Sequence, residues 1–283
     1  MARHLPSALL ACVCFCACTG GMGHRSVAAL SGELLLPAGT TRVRVEIDNG
    51  SLDVRVGTAG KIGFRGQVRR AADSAEQLAA FEARGAELRG ASDEKSASTF
   101  VVQGPSRPEG QLLGVLAVEA VLSIPDGIEV TLAVSGSGNL AVEARSAALD
   151  LHCGRGDVRC KSTVGLAKIH TGRGNVILDD HAGDVDVDIG VGDMQVFVRQ
   201  PNKKILLATG MGNVQCIIPP ESQFRVDART QTGKLANGFG LPIEKEGYRA
   251  WTVGQRGDGR TELAMRSGKG HLSLSHKQFE IPR

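Results

Sequence analysis

Between residues 136 and 214 the chain writes one short phrase five times. Gly136-Ser137-Gly138-Asn139-Leu140 is followed by Gly154-Arg155-Gly156-Asp157-Val158 and Gly172-Arg173-Gly174-Asn175-Val176. Gly190-Val191-Gly192-Asp193-Met194 and Gly210-Met211-Gly212-Asn213-Val214 complete the series. The second glycines, Gly138, Gly156, Gly174, Gly192 and Gly212, are separated by 18, 18, 18 and 20 residues. A period of this length marks a stacked-repeat architecture and constrains the fold more than any single motif does.

The flanking positions carry a second period. Counted from the second glycine, position +2 reads Leu140, Val158, Val176, Met194, Val214, and +4 reads Val142, Cys160, Leu178, Val196, Cys216. Position −5 reads Ala133, Leu151, Ile169, Val187, Leu207, and −7 reads Thr131, Leu149, Ala167, Val185, Ile205. All but Thr131 are apolar, whereas the intervening positions are mostly polar, which is the alternation of half-buried strands. One coil cannot bury its apolar face alone, and stacked coils can. The pattern predicts an all-β fold, a β-solenoid with 18-residue coils. The glycines are expected at corners where φ is positive or neighbouring coils approach closely. Asn or Asp after each glycine is expected to bond its own backbone. The column Asn139, Asp157, Asn175, Asp193, Asn213 places charge on alternate coils only, and Asp150, Lys168 and Asp186 alternate in sign. Both patterns limit like-charge repulsion between coils about 4.8 Å apart.

The remaining segments are compatible. Residues 40–56, TTRVRVEIDNGSLDVRV, read as two alternating strands around the favoured turn pair Asn49-Gly50. Residues 73–90 read as one short surface helix, with Ser74 and Gln77 as a capping box, Leu78, Phe81 and Leu88 on one face, and Gly85 as a weak point. Residues 98–103 and 114–125 read as strands, and TQTGKL (230–235) and RSGKGHLSL (266–274) as degraded end copies of the coil.

The N-terminus begins with Arg3 and His4 and continues as an apolar run from Leu5 to Ala17, the length of a signal-peptide core and too short to span a bilayer. Its ending in Ala-Cys resembles the lipobox of bacterial lipoproteins, whose cysteine becomes the lipidated mature terminus. Leu9-Leu10-Ala11-Cys12 is the better local match, and Cys18 leaves a more normal apolar run; Cys18 is the favoured lipidation site. The expected organisation is a signal peptide over 1–18, a linker over 19–30 and one domain over 31–283. That domain divides into a decorated N-terminal part (31–127), regular coils (128–220) and irregular C-terminal coils (221–283). After cleavage only Cys153, Cys160 and Cys216 remain, too few for a disulfide framework. A formal charge of +3 without a basic block argues against nucleic acid as a partner.

Together, the early VEIDNGSLDVRV, an alanine- and charge-rich helix, IPDGIEVTL, the Gly-x-Gly-[Asn/Asp] coils and the closing GDGRTELAMRSGKGHLSL resemble the putative-adhesin, or toastrack, domain of bacterial cell-envelope proteins. The resemblance covers roughly residues 30–275. It implies a β-solenoid on a secreted or membrane-anchored protein, linked to envelope stress and to adhesion or scaffolding, with no catalytic residues.

Individual motifs add little chemistry. Arg155-Gly156-Asp157 is the repeat consensus with Arg at its variable position, not an integrin ligand, and Arg256-Gly257-Asp258 lies in a glycine-rich loop. The Gly-x-Gly elements lack the third glycine and following helix of a dinucleotide site. Cys153 and Cys160 flank one corner, but Cys160 sits in an aliphatic column and reads as a buried thiol. His152, His170 and Asp188 fall on successive coils as a solvated surface ladder, whose parallel side chains do not converge on a metal ion. Asp179 and Asp180 face opposite ways on a strand, so no paired carboxylate emerges. No catalytic residue, metal or cofactor is therefore expected. The expected partners are the membrane, through a lipid anchor, and an envelope protein or glycan. The expected location is the cell envelope, at the outer membrane sooner than the inner. The alternative is a β-helix protein that binds or cleaves polysaccharide.

Overall fold

A computed structural model describes residues 22–106 and 114–276. The residues read as a signal peptide, 1–18, with the two candidate lipidation cysteines, Cys12 and Cys18, lie outside the described residues. The chain forms a β-solenoid whose coils pair in parallel on two faces, with the core between them. Each regular coil has one strand on each face. Leu149–Arg155 pairs with Val164–Arg173 in the 18-residue register, Leu149 against Ala167 and Leu151 against Ile169. On the opposite face Val158–Lys161 pairs with Val176–Val191, Val158 against Val176 and Cys160 against Leu178.

The predicted core columns are buried from the second copy onward. The first copy is corrected by one residue. Leu132, not Ala133, pairs with Leu151, and Val130, not Thr131, pairs with Leu149. A register shift between Cys153 and Arg155 absorbs the difference, and Thr131 and Ala133 are left half-buried on the outer side. A one-residue slip exchanges the faces of a strand, so Val130, Leu132 and Val134 fill the core instead.

Stacking order departs from chain order at both ends. Arg42–Ile47 and Gly50–Gly57 are both strands, as expected, but do not pair with each other as a hairpin. They are the two strands of a coil, parallel to Glu129–Ser137 and Leu140–Glu143 on one side and to Ser96–Gln103 and Val115–Pro125 on the other. Asn49-Gly50 is the glycine corner of that coil. At the far end Thr261–Lys269 inserts between Met194–Met211 and Phe224–Thr232. Antiparallel strands then cover the ends: Lys61–Ala72 and His24–Leu35 at one, Arg249–Arg256 and Glu244–Glu246 at the other. The strand from His24 occupies most of what the sequence assigned to a linker. The helix is shorter than expected, Ala75–Glu82. Ser74 caps it by accepting from Gln77 N at 3.2 Å, and the chain leaves it at Gly85, with φ of 74°. Leu88 is buried beyond the helix, alongside Phe81.

The glycine corners are set by close approach. A Cβ on Gly174 would lie 2.0 Å from Gly156 O, and its φ is 144°. Gly138 lies outside the positive-φ set, yet a Cβ there would lie 1.5 Å from Gly50 O. The Asn/Asp column does not bond its own backbone. Each side chain accepts from the backbone N–H of the equivalent residue one coil on. Asn139 Oδ1 accepts from Asp157 N at 2.9 Å, Asp157 from Asn175 at 2.8 Å, Asn175 from Asp193 at 2.9 Å and Asp193 from Asn213 at 2.7 Å. Parallel coils in exact register bring that donor within reach, and the ladder satisfies corner amides that lie outside the strand pairing.

Three successive coils also have a second corner, without glycine. Ala144, Ser162 and Asp180 repeat every 18 residues with φ of 57°, 51° and 55°. The residues that follow, Arg145, Thr163 and His181, are buried beneath this corner. Arg145 donates to Ile124 O at 2.6 Å and Ile128 O at 2.8 Å, and burial lowers its pKa.

Candidate functional site

Strand pairing places one outward-facing residue of each coil in a single row along the solenoid. The row runs Arg89, Gln103, Glu46, Ala133, His152, His170, Asp188, Ala208, Arg266, Arg229, Trp251, Glu244, each registered against the next. The sequence showed only the His152, His170, Asp188 part of it. Beyond Asp188 the row passes through the reordered C-terminal strands, which spacing alone could not place.

Beside this row the repeat supplies glycine. Gly154, Gly172, Gly190, Gly210 and Gly268 present no side chain, and their exposed or half-exposed backbone floors a groove. The groove deepens at two places. One cleft of about 480 Å³ is lined by His152, His170 and Asp188 over Gly154, Gly172 and Gly190. The other, of about 520 Å³, is lined by Arg229, Arg249, Arg266, Glu246 and Trp251 beside Gly268. Both volumes fall within the range of small-ligand sites.

At the histidine end the rings of His152 and His170 stack with centroids 5.3 Å apart and planes 19° apart. His152 Nε2 lies 2.9 Å from Asp150 Oδ1. Among the described residues no three His, Cys, Asp or Glu side chains are grouped to hold a metal ion.

At the tryptophan end the side chains are held by one another. Asp227 receives Arg229 Nε at 2.7 Å and Arg266 Nη2 at 2.6 Å. Partial burial raises the Asp227 pKa, and the two guanidinium groups more than offset it, so the net shift is downward. Trp251 Nε1 donates to Glu244 Oε2 at 3.1 Å, which fixes the ring. Arg249 makes no ion pair among the described residues.

Cys153, Cys160 and Cys216 are free and buried. Cys153 Sγ donates to Gly138 O at 3.1 Å, a role taken one coil later by Thr171 toward Gly156 O at 3.5 Å and three coils later by Thr209 toward Gly192 O at 3.3 Å. Asp179 and Asp180 do not form a pair. Asp180 is a corner residue bound by Ser162 Oγ at 2.9 Å and Arg199 Nε at 2.9 Å. Arg155-Gly156-Asp157 is a glycine corner whose Asp is part of the Asn/Asp ladder.

A profile of the toastrack DUF4097 family matches residues 36–275. The chain belongs to the toastrack family. Two solved structures resemble this toastrack chain. A "putative cell adhesion protein" from Clostridium sporogenes shares 14% identity over 88% of this chain and 100% of its own, with a TM-score of 0.36. A "putative adhesin" from Bacteroides fragilis shares 9% identity over 90% of this chain and 98% of its own, also with a TM-score of 0.36. Among curated proteins none matches the toastrack chain. No helix among its described residues is long and apolar enough to cross a membrane.

Proposed function

We propose that the protein is a non-enzymatic, lipid-anchored component of the bacterial cell envelope that presents one solenoid face for adhesion or scaffolding. The observation that carries this reading is the row from Arg89 to Glu244, whose spacing is fixed by strand pairing over the whole length of the solenoid. Such an array suits a repetitive partner, because each successive contact costs no further ordering of the protein. The reactive groups along the row are held side by side, and a hydrolytic site needs them to converge. A part in envelope-stress signalling would follow from occupancy of the same face.

Attachment is assigned to Cys18, since acyl chains on the mature terminus would hold a protein whose described residues include no helix long and apolar enough to cross a membrane. Thr19-Gly20 lacks the acidic residue of an inner-membrane retention signal, which favours the outer membrane. Two measurements test this. Intact mass of the mature N-terminus should show a lipidated Cys18, lost in Cys18→Ser; lipid on Cys12, or an unmodified terminus further on, overturns the anchor. The purified protein should bind isolated envelope fractions saturably, and failure to do so overturns the adhesive role.

A further inference from the structure

The glycine-floored groove has a feature that selects among partners. Trp251 and His152 are six register steps apart along one row, roughly 29 Å at the strand spacing. Between them the row passes His170, Asp188, Ala208, Arg266 and Arg229, and beside it the bare backbone of Gly190, Gly210 and Gly268 leaves a floor open to a continuous chain, with Ala208 the smallest side chain along its edge. The strand spacing is close to the length of one β-1,4-linked pyranose unit. The cleft at the tryptophan end is lined by Arg229, Arg249, Arg266 and Glu246, and Asp227, bonded to Arg229 and Arg266, with Glu244, bonded to Trp251, brings the local count to three of each sign. A balanced cluster of planar guanidinium and carboxylate groups has no net pull on a polyanion. It can instead bond pairs of neighbouring hydroxyls through two parallel hydrogen bonds. The indole, tethered by Glu244, offers a flat apolar surface to the C–H face of a sugar ring.

We propose that this groove binds a linear, uncharged glycan laid along the solenoid axis, with one ring stacked on Trp251 and the chain extending toward His170 and His152. The proposal rests on the reading of this face as an adhesive surface and names its partner class.

Trp251 is the single tryptophan of the chain, so its fluorescence reports on this site alone. Chitohexaose and cellohexaose are the probes, with their disaccharides and hexagalacturonate for comparison. A neutral hexaose should change the Trp251 emission and bind about tenfold or more tighter than its disaccharide, as linked subsites require. Raising the salt concentration should leave that affinity unchanged. Trp251→Ala should abolish binding measured by calorimetry. Ala208→Arg, with unchanged thermal stability, should reduce the hexaose to the affinity of the disaccharide. Silence of both neutral hexaoses overturns the proposal, as does salt-sensitive preference for hexagalacturonate or full hexaose affinity in Ala208→Arg. If the hexaoses are silent while the protein still binds envelope fractions, the glycan assignment fails and the adhesive reading stands. If both assays are negative, both fall.

Discussion

Thr163 Oγ1 and His181 Nδ1, equivalent positions of the second corner in successive coils, lie 2.9 Å apart in the buried interior. His181 Nε2 is 3.2 Å from Asp184 O, a carbonyl that can only accept. Nε2 therefore carries the proton, Nδ1 accepts from the threonine hydroxyl, and the neutral ring is fully satisfied. Burial lowers the His181 pKa below its ordinary value of 6.5. A base depressed in the folded state is protonated first in the unfolded chain. Its contribution is therefore complete above about 6.5 and declines as pH falls below that value. Between about pH 7.5 and about pH 5 the urea midpoint should fall, and it should fall less in His181→Gln. Equal pH dependence in the two proteins counts against this account.

Gly174→Ala should be strongly destabilising, because its φ of 144° is unfavourable and the added Cβ would meet Gly156 O at 2.0 Å. Strain and overlap together predict a loss of about 2–6 kcal/mol. Gly127 also has positive φ, 76°, but nothing lies within 4 Å of an added Cβ. Gly127→Ala should cost about 1 kcal/mol. Thermal denaturation that ranks the two the other way would show that coil approach does not set the corner.

Val176→Asp puts an unpaired charge into a fully buried column and should cost several kcal/mol, enough to prevent folding. Asn175→Ser next to it should be mild. Ser51 already serves this ladder, its Oγ accepting from Asn139 N at 3.1 Å. Asn175→Leu removes the acceptor and should cost about 0.5–1.5 kcal/mol. Circular dichroism melts of the three variants test the order.

Cys160 and Cys216 are fully buried, and burial pushes both thiols up to about 12. Burial also raises Cys153. A thiol in this state is scarcely ionised at neutral pH and does not react. Alkylation followed by peptide mapping should find all three unlabelled in the native protein and labelled after unfolding. Rapid labelling of Cys160 in the native state would contradict the buried column.

The repeat determined a great deal by itself. Eighteen-residue spacing with strict alternation admits one economical solution, parallel coils around an aliphatic core, and Leu151, Val158, Ile169 and Val176 are buried as their positions require. The Asn/Asp column and the ladder of His152, His170 and Asp188 were visible for the same reason: identical spacing puts them side by side. The polar corner column of Arg145, Thr163 and His181 has the same spacing and was equally readable. Tertiary structure alone decided the rest. Local pattern cannot tell a hairpin from the corner of a coil, because Asn49-Gly50 between alternating strands suits both; the choice lies with Glu129–Ser137 and Val115–Pro125, which bond to the flanking strands from a distance. Nor can spacing reveal that Thr261–Lys269 is inserted ahead of Phe224–Thr232. That inversion carries Arg266, Arg229 and Trp251 into line with Asp188, since pairing energy depends on which edge is open when a strand arrives and not on its place in the chain.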